Sequence, residues 1–94
     1  IYVDLSASEH SPLGYLIGKM YYSTEIDYLL KGMISGYPHN GGVHTLRLEG
    51  NYLDVISAIE IIRDYSLTPL HKSSDEAKEQ LTEFCELIKI AVNN

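Results

Sequence analysis

The chain has 94 residues, 45% of them hydrophobic and 21% charged, a balance that fits one folded domain and excludes wholesale disorder. Thirteen acidic residues against seven basic ones give a formal net charge of −6, which repels phosphate backbones and argues against direct nucleic-acid binding. Cys85 is the sole cysteine, so neither an intrachain disulfide framework nor a multi-cysteine metal site is available.

No apolar run approaches the roughly 20 residues that cross a bilayer. The first residues lack the basic start and long apolar stretch of a signal peptide. A cytoplasmic protein without membrane association is therefore expected.

Ile1, Val3 and Leu5 alternate with Tyr2 and Asp4, the two-residue period of a half-buried strand. Residues 7–14 are polar, contain Pro12 and Gly14, and suggest a loop. Residues 15–22, YLIGKMYY, are rich in aromatic and branched side chains around Gly18. That composition favours a strand paired with the first over a short helix.

Ser23 and Thr24 offer a helix cap, with Asp27 three residues after Thr24. Ile26, Leu29, Leu30, Met33 and Ile34 then recur with helical spacing, predicting one apolar face until Gly36 ends the helix. The segment GYPHNGG at 36–42 is turn-rich. Val43 to Glu49 predicts a strand, with His44, Leu46 and Leu48 on one side and Thr45, Arg47 and Glu49 on the other.

Asn51 is placed to cap the next helix, with Asp54 in its first turn. Its core face is Tyr52, Val55, Ile56, Ile59 and Ile62, and it ends before Pro69. Ser73 and Glu76 have the spacing of a capping box opening a last helix that runs to about Val92. Ala77, Leu81, Phe84, Cys85, Ile88 and Val92 form its apolar stripe. At about 100° per residue, Asp75, Glu76, Glu79, Glu83 and Glu86 share an arc opposite that stripe. The expected architecture is α+β: an antiparallel or mixed sheet of about three strands covered by about three helices, in the order β-β-α-β-α-α.

Four histidines, His10, His39, His44 and His71, lack the close spacing of metal ligands on one helix or of a Cys/His cluster. Neither a metal nor another cofactor is therefore expected. His10 beside Glu9, and His39 near His44 with Arg47 and Glu49, supply nominal acid–base groups for a small hydrolase or ribonuclease. No spacing shows that they converge, so a non-enzyme is the first expectation. GYPHNGG lacks the Lys-Ser/Thr ending of a phosphate-binding loop and leads into a strand, which makes it a tight turn. Cys85, on the apolar stripe, is read as a small buried hydrophobe.

Eight tyrosines against one Phe and no Trp are the least ordinary feature. Tyrosine combines large contact area with a polar tip and is favoured at interfaces. Tyr28 falls opposite the core face of its helix, and Tyr65, Leu53 and Ile61 fall away from the Tyr52–Ile59 stripe. Such residues are either covered by another layer or mark a partner or dimer surface.

Small size, acidity, tyrosine richness and a one-sided acidic helix point to an inhibitor that occludes a basic protein, as an immunity protein does a toxin or nuclease. In that expectation Asp75, Glu76, Glu79, Glu83 and Glu86 meet Lys or Arg of the partner, and Tyr28 and Tyr65 are anchors. A self-associating adaptor and a hydrolase using His39 and His44 are the alternatives.

Overall fold

The tyrosine-rich stretch at 15–22 is helical in its described part, not extended. In the computed structural model, which describes residues 1–21, 23–30, 32–66 and 75–93, the side chains of Tyr65 and Ser66 excepted, α1 spans Pro12–Met20. Its start was written just upstream of the aromatic run. The Ser11 hydroxyl accepts a hydrogen bond from the Gly14 N–H at 3.1 Å, and Pro12 occupies the first turn, where no amide donor is needed. Leu13, Leu16, Ile17 and Met20 then recur at helical spacing and are all buried. A window opened at Tyr15 loses both the cap and the first apolar residue of that stripe.

The described residues contain four strands and four helices, an α+β arrangement. Strand β1 (Tyr2–Ser8) pairs antiparallel with β4 (Val43–Glu49), with Leu5 opposite Leu46 and Asp4 opposite Arg47. The other edge of β4 carries β2 (Ile34–Gly36) and β3 (His39–Asn40), both antiparallel to it. The strand partner of β1 is thus β4, 35 residues farther along the chain.

Alternation sets the two faces of this sheet. Val3, Leu5 and Ala7 with Leu46 and Leu48 point to the core, where the three leucines are fully buried. The opposite face carries short polar pairs: Ser6 Oγ to Thr45 Oγ1 at 2.8 Å, and Arg47 donating to both Asp4 oxygens at 3.0 and 3.2 Å. Exposed pairs of this kind contribute up to about 1 kcal/mol each and set register more than stability.

The expected helix running to Gly36 is cut short. Helix α2 covers Thr24–Leu30, with Ser23 Oγ accepting from the Ile26 N–H at 3.2 Å. Gly32 then adopts φ +80, a left-handed conformation open to glycine at little cost. The Met33 carbonyl accepts a hydrogen bond from the Glu49 amide at 2.9 Å, and Ile34 pairs opposite Leu48. The free edge of β4 therefore takes residues whose own spacing suits a helix, and Met33 and Ile34 still reach the core from the sheet.

Helix α3 (Tyr52–Ile61) begins as its sequence indicates, with the Asp54 N–H donating to Asn51 Oδ1 at 2.9 Å. Val55, Ile56, Ile59 and Ile62 are buried while Tyr52 is half-buried. It continues as a π-helical segment, Ile62–Ser66. Helix α4 (Asp75–Asn93) buries Ala77, Leu81, Cys85 and Ile88, half-buries Phe84, and leaves Val92 38% exposed, so the apolar stripe ends before Val92. The proposed stop before Pro69 and the Ser73 half of the capping box lie outside the described residues. Arg63 ties α3 to α4: it donates to Asp64 at 2.9 Å and to Thr82 Oγ1 at 3.2 Å.

Candidate functional site

Two places carry side chains that the core does not explain. The first is the outer face of α4. Asp75, Glu76, Glu79, Glu83 and Glu86 are all exposed. Asp75 and Glu76 lie in the first turn, where carboxylates complement the helix dipole. Glu79, Glu83 and Glu86 lie beyond that turn and have no such role.

Leu87 and Ile90 on the same helix are 61% and 58% exposed. At about 100° per residue Ile90 falls inside the acidic arc and Leu87 at its edge. Glu83, Glu86, Leu87 and Ile90 therefore form one ridge at i, i+3, i+4 and i+7, two carboxylates beside two aliphatic side chains. Lys89, 3.5 Å from Glu86, offsets part of the charge on one flank. Sequence periodicity found the carboxylates but passed over Leu87 and Ile90, because attention to the buried stripe hides apolar residues on the opposite side.

Of the other residues singled out for partner contact, Tyr28 projects from α2 and is 79% exposed. The Tyr65 side chain lies outside the described residues. Leu53 is 61% exposed and Ile61 half-buried, so α3 is not covered all round.

The second place is a cleft of about 390 Å³ between α1 and the β3–β4 hairpin, lined by Ile17, Gly18, Tyr21, Tyr37, His39 and His44. Asn40 and Val43 flank a two-residue turn in which Gly41 and Gly42 have φ +61 and +78. Positive φ at both central positions is the type I′ geometry that suits hairpin twist. That turn places His39 directly opposite His44, with ring centroids 4.1 Å apart and planes 14° from parallel.

Glu9 arrives from the end of β1. Its amide donates to the Gly42 carbonyl at 2.8 Å, and its Oε2 stands 3.1 Å from His39 Nε2. His10, expected to act beside Glu9, does stand by it, with Nε2 3.6 Å from the other Glu9 oxygen, but its side chain is 89% exposed and it is not part of the His39–His44 cluster. Of the remaining nominal acid–base companions, Arg47 is held by Asp4 on the outer face of the sheet.

Glycine controls how closely α1 approaches this cluster. A Cβ at Gly18 would sit 3.1 Å from His44 Nε2, and one at Gly14 would sit 1.8 Å from the Ser8 carbonyl oxygen. On the far wall, Tyr37 meets Tyr21 edge-on at 5.5 Å. The buried Tyr37 hydroxyl has no hydrogen-bond partner among the described residues. Burial, with the Asp27 carboxylate as a smaller influence, pushes the Tyr37 phenol up to about 12.

Sequence spacing did not show that these groups converge; the fold brings one ligand atom each from Glu9, His39 and His44 to within 4.8 Å of one another. The Asn-Gly-Gly turn was legible in the sequence, but strand β3, which sets His39 opposite His44, was not. The Glu9 contribution depends on β1 pairing with β4.

Comparison with protein-family profiles, curated proteins and solved structures finds no match to this chain.

Proposed function

We propose that the protein is an inhibitor that binds a basic protein partner through the outer face of α4, in the manner of an immunity protein neutralising a toxin or nuclease. The observation that carries this reading is the ridge Glu83–Glu86–Leu87–Ile90. Single exposed aliphatic side chains are ordinary, but here two adjoin each other on one ridge amid carboxylates. A binding face uses such a pattern, because apolar anchors ringed by charge combine desolvated contact with electrostatic steering.

Asp75, Glu76 and Glu79 extend the same negative field toward the start of the helix. Tyr28, on α2, and Tyr65 are offered as further contacts. Self-association through the off-face apolar residues, Tyr28 on α2 with Leu53 and Ile61 on α3, is the alternative.

The test is a salt-dependent pull-down with the full chain as bait, followed by association kinetics on the recovered protein. One basic protein in stoichiometric amount, bound more slowly by Glu79→Lys/Glu83→Lys and with a shallower salt dependence, supports the reading. Kinetics unchanged by that charge reversal would remove α4 as the binding face. A salt-insensitive homodimer in light scattering would replace the inhibitor with the adaptor. Hydrolytic activity lost on replacing His39 or His44 would favour the enzyme.

A further inference from the structure

We propose that Glu9, His39 and His44 form a binding site for a divalent transition-metal ion of the zinc class, with an open coordination position facing the cleft beside Tyr21 and Tyr37. The inference stands apart from the partner face on α4. Two imidazoles and one carboxylate are a donor set that suits zinc and its neighbours, whereas magnesium and calcium require oxygen-rich shells. Three protein ligands leave a fourth position for water or another ligand.

The backbone under each ligand is already fixed. His39 and His44 are a cross-strand pair held by the Gly41–Gly42 turn, and the Glu9 amide is bonded to Gly42. Ligand atoms around a tetrahedral zinc ion sit about 3.3 Å apart. The Glu9–His39 separation of 3.1 Å is close to that, and no pair in the cluster is wider than 4.8 Å.

The His39 side chain is 49% exposed, and its ring torsion is soft. That freedom lets the His39 ring leave its stack with His44 to share an ion with it. Gly18 keeps α1 clear of His44 Nε2, where a Cβ would stand 3.1 Å away.

The experiment is a zinc titration of the full chain near pH 7.5, read by calorimetry and by histidine ¹⁵N chemical shifts. The expected result is one saturable equivalent, a raised unfolding temperature, and shifted ring nitrogens at His39 and His44. His39→Ala, His44→Ala and Glu9→Gln should each weaken binding by about tenfold or more, with His10→Ala unchanged and magnesium unable to compete.

His39→Ala carries the test if His44→Ala does not fold, because His39 is exposed on the hairpin. Several weak equivalents, binding that survives His39→Ala and Glu9→Gln, or equal uptake of magnesium would overturn the site. So would no saturable binding at all.

Discussion

Replacing Tyr37 by Phe should make the protein more stable. The ring keeps its edge-on contact with Tyr21 and its place in the cleft wall, and the substitution removes only a buried oxygen that has no partner among the described residues. Leaving such a group unpaired costs about 1–3 kcal/mol. Tyr37 as a residue is only half-buried, so the lower end applies and a gain of about 1 kcal/mol is expected. In a domain of this size that raises the unfolding temperature by about 4–8 °C.

The pH dependence has a definite sign. The folded phenol is pushed up to about 12 by burial and then by Asp27, while the unfolded phenol ionises near its ordinary value of about 10. The neutral form is thus favoured in the native state, and this contribution is complete below about pH 10. It is lost as pH rises toward 12, and Tyr37→Phe should flatten the stability curve over that window. Thermal melts of both proteins between neutral pH and about 11, with phenolate absorbance followed in parallel, check both parts. A Tyr37→Phe protein destabilised by more than about 1 kcal/mol would show that the hydroxyl has a strong partner and refute the reasoning.

Gly14→Ala should cost about 3 kcal/mol or more in urea denaturation, outweighing the helix propensity of alanine, because the new Cβ would stand 1.8 Å from the Ser8 carbonyl oxygen. Asn51→Ala should cost about 1 kcal/mol through loss of the bond from the Asp54 amide. Leu87→Ser with Ile90→Ser should change the unfolding free energy by under about 1 kcal/mol, since both side chains are more than half exposed, yet weaken partner binding. Burial, and secondarily Glu60, raises the Cys85 thiol. A thiol reagent at pH 8 should therefore label it slowly in the native protein and at once in urea, and the stability it contributes is present below about pH 8.5 and fades above it.

Features written into short stretches of chain were legible. The alternation of Val3 and Leu5, the Asn51 cap and the buried stripe of α4 each depend on residues within a few positions of one another, whereas Ala7 and Ser8, read as the start of a loop, extend β1. Their periodicity reports the backbone directly. The same argument would have recovered α1 from Ser11, Pro12 and the spacing of Leu13, Leu16, Ile17 and Met20. There the aromatic content of 15–22 outweighed a period that began two residues earlier.

What the sequence determined by itself is the α+β class, the Asn51 cap and the acidic outer face of α4, because each follows from local steric or periodic rules. Tertiary structure alone decided that Met33 and Ile34 leave their helical pattern for the edge of β4, and that Glu9 reaches the two histidines. Both outcomes hang on backbone hydrogen bonds between residues 14 to 40 positions or more apart, such as Ile34 with Leu48 and Leu5 with Leu46. An open strand edge must be satisfied by whichever segment the core brings beside it, and no local window of sequence contains that demand.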